Sequence, residues 1–179
     1  MSPHLALTSV PPWAVAEVRP QADLSGRSWT LLAVGDCAEP VVEQWAAEVT
    51  AHRPGADLRV HHVPDPEAAC AALAADLADA VVGWRLLVAG PAHACLRVRS
   101  AAMRLGVGDD EMTIASTEVG TREIFCAHCK HTTVAEVELT GEVPCSGCGR
   151  ELFVHYHVSR RLGTHLGFAT HADRQVVAP

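Results

Sequence analysis

The sequence predicts an α/β unit built on an open parallel sheet with flanking helices, followed by a small β-rich unit. Three observations support this prediction. Apolar runs of strand length alternate with amphipathic stretches of helix length over residues 28–118. Two pairs of closely spaced cysteines follow between residues 126 and 148. A hydrophobic share of 49% in 179 residues is ample for a packed core.

The elements of the α/β unit can be placed in order. We expect strands over residues 29–34, 57–63, 84–89 and 112–116, and helices over residues 40–52, 66–80 and 92–105. Pro66 suits the first turn of the second helix, and Gly106 suits the end of the third. Crossovers of this length return the chain parallel to the previous strand, so helices should cover both faces of the sheet. A ligand site would then lie at the carboxyl ends of the strands, near Gly35 and Gly90.

The sequence divides into four segments. We expect an N-terminal extension over residues 1–27, loose in its first twelve residues, and the α/β unit over 28–118. A metal-binding unit over 119–170 and a flexible tail over 171–179 follow. Units below about 40 residues rarely bury enough surface alone, so a metal ion should supply much of the stability of the third segment.

The two cysteine pairs, Cys126 with Cys129 and Cys145 with Cys148, are separated by fifteen residues. Two residues between cysteines let both sulfurs of a tight turn face one ion, and two such turns complete a tetrahedral thiolate site, as in zinc ribbons and rubredoxins. We therefore predict that these four cysteines bind one metal ion and that no catalytic residue lies among them, because four thiolates leave no open position. The spacing leaves zinc and mononuclear iron equally open, and iron would make the site a one-electron carrier.

Other cysteines and histidines are interpreted as structural. We expect Cys37, Cys70 and Cys95 to be small buried apolar residues. Two histidines, His155 and His157, should project to one face of a strand and are interpreted as surface residues. Gly149 suits a turn whose N–H groups point at sulfur.

The net charge and the number of cysteines limit the partners and the cellular compartment that the sequence is compatible with. A net charge of −7 and a pI near 5.8 argue against nucleic-acid or anionic-membrane partners. An odd number of cysteines, seven, together with a metal pattern favours a reducing compartment. The sequence shows no secretory signal and no membrane span, because Arg85 interrupts the longest apolar stretch. We therefore predict a cytoplasmic protein.

The segment 88–91, Val-Ala-Gly-Pro, and the helix after it resemble the NAD(P)-binding domain of ferredoxin reductases. The turn after the first strand, 34–40, matches that family's glycine-rich segment at Gly35 and at its proline. Val34 and Cys37 replace two of its glycines, and Glu39 stands where the family has threonine. Side chains there would obstruct a pyrophosphate, and the acidic groups would repel it. The sequence therefore favours a retained scaffold over a working dinucleotide site.

Three stretches of the C-terminal part, residues 125–130, 143–150 and 157–163, resemble the DmmA family. That family provides the small subunit of the bacterial dimethylamine monooxygenase. The resemblance implies a multi-subunit, NAD(P)H-dependent heme monooxygenase that converts dimethylamine to methylamine and formaldehyde. It also implies that a heme-bearing oxygenase subunit and a reductase subunit with FMN and an iron–sulfur cluster are the partners. The chain would then serve in assembly, or in electron transfer if its metal is iron. A stand-alone zinc-ribbon adaptor without a redox role is the alternative.

Overall fold

A computed structural model describes residues 5–169 and contains two β-sheets with helices on both faces of the first. The first sheet has four parallel strands in the order β2-β1-β3-β4. Its strands are β1 (Ser28–Val34), β2 (Asp57–Val63), β3 (Trp84–Pro91) and β4 (Met112–Glu118), and its helices are α1 (Glu39–His52), α2 (Pro66–Leu77) and α3 (Ala92–Arg104). This architecture confirms the predicted open parallel sheet with flanking helices.

The helices cover opposite faces of the first sheet. On one face α1 packs Val42, Trp45 and Val49 against alternate residues of β1 and β3. On the other face α2 and α3 pack Leu73 and Val98 against the intervening residues of those strands. Both central strands are therefore buried on both sides, which explains their continuous apolar sequence.

The second sheet has five strands in the order β6-β5-β9-β8-β7. Its strands are β5 (Thr121–Cys126), β6 (Thr132–Glu136), β7 (Glu142–Pro144), β8 (Glu151–Ser159) and β9 (Thr164–Ala169). The pairing of β5 with β9 is parallel, and the other pairings are antiparallel. Tight turns connect β5 to β6 and β7 to β8, and these turns carry the two cysteine pairs.

Helix α3 contributes to the cores of both sheets. Its Cys95 and Val98 lie in the core of the first sheet, whereas Leu96 lies in the core of the second. The loop after β8 also docks on this helix, because the Ser100 hydroxyl donates to the Arg161 carbonyl at 2.7 Å. In the same loop Gly163 has φ +70°, and a Cβ there would lie 2.5 Å from the Leu96 carbonyl oxygen. The β-rich unit is therefore anchored on the α/β unit by packing as well as by the chain.

The described part of the N-terminal extension packs on the second sheet. Val10 is buried, and Ser9 accepts a hydrogen bond from the Val158 amide at 2.9 Å. The prediction of a loose start is therefore wrong for residues 9–12, because the inner face of the second sheet needs an apolar cover that its own strands do not supply. The predicted tail, 171–179, lies outside the described residues.

None of the helices in residues 5–169 combines the length and the apolar character needed to cross a membrane.

A buried arginine joins the N-terminal extension to the second sheet. Arg122 is 3% exposed and donates to the carbonyl oxygens of Val137 at 2.8 Å and Ala14 at 3.1 Å. Its Nη1 also lies 3.3 Å from His165 Nε2. Because a guanidinium only donates, His165 must accept through Nε2 and stay neutral. Burial, together with the positive charge of Arg122, lowers the pKa of His165 to about 4.

This pKa predicts a pH-dependent stability. The unfolded chain takes up a proton at His165 near pH 6.5, whereas the folded chain does so only near 4, so stability falls as the pH drops through that window. Integrated over the whole window, the loss is about 3 kcal/mol. In urea titrations between pH 7 and 4.5, His165→Gln should lose less stability than the wild type, because glutamine keeps an acceptor for Arg122 but does not titrate. Equal pH slopes for the two proteins would contradict a neutral, buried His165.

Candidate metal centre

The two cysteine turns have the same backbone geometry. In the first, the Cys126 amide donates to the His131 carbonyl at 2.8 Å, and the Lys130 amide donates back to the Cys126 carbonyl at 2.9 Å. In the second, Cys145 and residues four and five positions later repeat both bonds, each at 2.8 Å. The residue after each pair, Lys130 or Gly149, has positive φ, 67° and 70° respectively. The two turns are therefore equivalent halves of one site.

The four sulfurs of these turns converge. All four lie within 4.8 Å of one another. Across the two turns, Cys129 Sγ lies 3.6 Å from Cys145 Sγ, and Cys126 Sγ lies 3.9 Å from Cys148 Sγ. Four thiolates arranged tetrahedrally around an ion at about 2.3 Å are separated by about 3.8 Å. The donor set and its spacing therefore fit a tetrahedral zinc or iron ion.

The site has a buried side and a side near the surface. Cys126 and Cys145 are 0% and 2% exposed, whereas Cys129 and Cys148 are half-buried. The amide of Cys129 donates to Cys126 Sγ at 3.5 Å, and the amide of Gly147 donates to Cys145 Sγ at 3.4 Å. Such N–H donors stabilise thiolate charge.

The turn predicted for Gly149 is confirmed, because the Gly147 amide of this turn points at Cys145 Sγ and the positive φ of the turn falls at Gly149. The amide of Gly149 itself donates to the Cys145 carbonyl and not to sulfur, because this bond closes the turn. The glycine beside sulfur is Gly147, where a Cβ would lie 2.7 Å from His131 Cβ and 3.3 Å from Cys129 Sγ. The requirement for glycine there comes from the contact between the two turns, which spacing along the chain does not reveal.

The thiols influence one another's protonation. At Cys145 burial raises the pKa, but the amides of Cys148 and Gly147 outweigh it, and the pKa is lowered to about 6. At Cys129 the amide of His131 acts to lower the pKa, but burial and the neighbouring sulfurs raise it to about 12. Because four thiolates this close repel one another, a bound cation is what allows all four to be deprotonated together.

The segment that carries the four cysteines is similar to a known protein family. Residues 123–168 match the family model described as "Dimethylamine monooxygenase subunit DmmA-like, C-terminal domain". By this similarity we refer to the segment as the DmmA-like domain. The match confirms the resemblance to the DmmA family that the sequence motifs predict, and it contains all four cysteines.

A curated relative extends the similarity beyond the DmmA-like domain. The chain is 36% identical over 102 residues to the "Heme-dependent oxidative N-demethylase delta subunit" of Ectopseudomonas mendocina (strain ymp). The alignment covers 57% of this chain and 57% of that protein, so the chain spans little more than half of the relative's length. No solved structure matches the chain.

The second predicted ligand region lies at the carboxyl ends of β1 and β3, away from the four sulfurs of the DmmA-like domain. Val34 is buried against Gly90, where a Cβ would lie 2.9 Å from Val34 Cβ. Beside it an open groove of about 180 Å³ is lined by Gly35, Asp36 and Glu39 among others. His62 of β2 pairs with Glu39 in this groove at 3.6 Å. Protein side chains and acidic groups thus occupy the carboxyl ends of these strands, and they would oppose the binding of a pyrophosphate there.

The other cysteines and the histidine pair lie apart from the four sulfurs. Cys95 is buried as predicted and Cys70 is half-buried, but Cys37 is exposed in the turn before α1. The prediction for Cys37 is wrong because the turn leaves the sheet before the chain enters α1. Both His155 and His157 are exposed, and they lie in a stretch of β8 where the pairing with β9 is interrupted between Val154 and Val158. Strand alternation therefore does not decide how they project.

Proposed function

We propose that this chain is a subunit of a multi-component, NAD(P)H-dependent heme monooxygenase that demethylates dimethylamine. The overall reaction consumes dimethylamine, O2, NAD(P)H and a proton and yields methylamine, formaldehyde, NAD(P)+ and water. The observation that carries this proposal is the DmmA-like domain with its four convergent cysteines. The demethylase subunit to which the chain is similar supports the same class of complex.

The chain serves in assembly and does not activate oxygen. Its four cysteines would fill the coordination sphere of one ion and leave no position for oxygen or substrate. As the resemblance to the DmmA family implies, the heme belongs to an oxygenase partner, and FMN and an iron–sulfur cluster belong to a reductase partner. The complex works in the cytoplasm, where free thiols stay reduced.

The metal ion decides whether the chain also transfers electrons. Zinc would brace the two turns and carry no electron, whereas mononuclear iron would cycle between two oxidation states. The half-buried side formed by Cys129 and Cys148 is the side on which an electron would enter or leave. The α/β unit acts as a scaffold, because its crevice is filled by Val34 and lined by acidic groups that oppose a dinucleotide.

The test is reconstitution of the demethylase with and without this chain. The tagged chain is co-expressed with the heme-bearing and flavin-bearing subunits, and the complex is assayed for formaldehyde release from dimethylamine. We expect all subunits to co-purify with one metal ion per chain. A red chain that dithionite bleaches would assign electron transfer, and a colourless chain with zinc would assign bracing. Full activity of the other subunits without this chain would overturn the proposal, and salt-dependent DNA binding would favour the adaptor alternative.

A further inference from the structure

All three phenylalanines of the chain lie on the same side of the second sheet. Phe125 of β5 is paired with Leu166 of β9, and Phe153 of β8 is paired with Phe168 of β9. Paired residues project to the same face, as do residues two apart on one strand. These four side chains therefore form one surface, which we call the phenylalanine face.

The phenylalanine face is open to solvent, and none of its four residues is buried. Phe168 is 45% exposed, although it is among the most apolar residues of the sheet. The His155 ring contacts Phe153 and Phe168 edge-on, with ring centroids 4.7 and 5.2 Å apart. An open groove of about 470 Å³ lies among these rings and Leu166. Exposed sheet faces are normally polar, and a contiguous apolar patch marks an interaction surface.

Opposite charges flank the phenylalanine face on its two sides. On the β5 side, Lys130 Nζ lies 5.9 Å from the centroid of the Phe125 ring. On the β7 side lie two exposed acidic residues, Glu142, which is paired with Phe153, and Glu151. None of these three charges forms an ion pair within residues 5–169.

The charges also lie near the same level along the strands. Glu142 pairs with Phe153, which pairs with Phe168 of β9. Lys130 Nζ lies over Phe125, which pairs with Leu166, two residues before Phe168 on β9. Both charges therefore stand near the end of the sheet that carries the cysteine turns. A rotation of 180° about an axis along β9 in the plane of the face exchanges the β5 and β7 sides without moving this level.

We propose that the phenylalanine face binds a second copy of this chain about a two-fold axis along β9. Leu166 and Phe168 then pack on the same residues of the second copy, and Lys130 of each copy faces Glu142 and Glu151 of the other. A two-fold contact requires such a self-complementary patch. Because the argument uses only this chain, it stands independently of the proposed demethylase function.

The first test is the oligomeric state of the full chain, purified with its metal. Sedimentation equilibrium over a hundredfold concentration range should show a monomer–dimer equilibrium. Phe168→Glu should raise the dissociation constant at least a hundredfold, because it places two carboxylates beside the axis. The control Val82→Glu introduces the same carboxylate at a 92% exposed valine in the loop before β3. It should leave the dissociation constant unchanged. A wild-type chain that is monomeric throughout, or equal effects of the two variants, would overturn the proposal.

The second test uses the charges and isolates the two-fold arrangement. Lys130→Glu alone and Glu151→Lys alone place like charges across the interface, and each should weaken the dimer about tenfold. An equimolar mixture of the two variants restores both opposite-charge contacts between positions 130 and 151, although at one of them the carboxylate introduced at position 130 still lies near Glu142. The mixture should therefore dimerise more tightly than either variant alone. Metal analysis of the Lys130→Glu chain checks that the neighbouring site is intact. A mixture that associates no better than either variant would overturn the two-fold geometry, as would a monomeric chain that needs Phe168 only to bind another subunit.

Discussion

Cys145→Ser is expected to abolish stoichiometric metal binding. Cys145 lies on the buried side of the site and accepts a hydrogen bond at sulfur from Gly147. Structural zinc sites of this kind bind with apparent free energies of about 10–16 kcal/mol, and three thiolates retain only part of that. Metal content measured by elemental analysis after dialysis against a chelator should fall from one ion per chain to less than about a tenth.

The same variant should keep its overall fold, because the core around Leu96 also contains apolar residues outside the cysteine turns, such as Val10 and Val158. We expect hydrogen-exchange protection to be lost at the two cysteine turns and kept in β1 and β3. Cys37→Ser, at an exposed cysteine outside the site, is the matched control and should retain the metal. Stoichiometric metal in Cys145→Ser would show that this cysteine is not a ligand, and global unfolding would contradict the shared core.

Arg122→Met is expected to be strongly destabilising. It leaves the carbonyl oxygens of Val137 and Ala14, and Nε2 of His165, without their donor in a buried place. Each unsatisfied buried acceptor costs about 1–3 kcal/mol, so we expect a loss of at least about 3 kcal/mol in the free energy of unfolding. The loss is measured by urea titration at pH 7, where His165 is neutral in the folded state and mostly neutral in the unfolded state.

The control for this change is Arg160→Met, which replaces an arginine that is exposed at the end of β8. Surface substitutions of this kind usually change stability by less than about 0.5 kcal/mol. If Arg122→Met were as stable as the control, the three contacts of Arg122 would make no net contribution to the free energy of unfolding. The bridge between the N-terminal extension and the second sheet would then depend on apolar packing alone.

The α/β unit could be predicted closely because its signals are local. The first strand is predicted over residues 29–34 and is found at Ser28–Val34, and the three helices begin within one residue of their predicted starts. Buried parallel strands are continuous apolar runs, and amphipathic helices have apolar residues every three to four positions. Each element can therefore be identified from its own short segment of sequence. The turns that carry the four cysteines could be predicted equally well, because the spacing within each pair is typical of a metal-binding turn.

The contacts between distant segments could not be predicted from such local patterns. Nothing near Arg122 in the sequence indicates that it meets Ala14, which lies 108 residues earlier. The sequence predicts a loose start over residues 1–12, as is usual at chain termini, yet Val10 is buried under the second sheet. Irregular segments that cover a sheet are determined by the surface they cover, and single-chain patterns do not encode that surface.

The phenylalanine face left a weak signal in the sequence. Phe125, Phe153 and Phe168 sit on three separate strands, and each lies within a pattern that alternates with buried neighbours. Alternation shows that a residue faces away from the core, but it does not show which outward residues meet one another. That information required the register of β5, β9 and β8.

Helix α3 packs in the cores of both sheets and so restricts the movement of one sheet relative to the other. A swing of the cysteine turns relative to the crevice at Gly90 would pull Leu96 out of one core or Val98 out of the other. The packing therefore opposes hinge motion at this junction and holds the four sulfurs at a set distance from the crevice. In the proposed complex, a change in the distance between these sulfurs and a redox centre on another subunit would then come from movement of the whole chain.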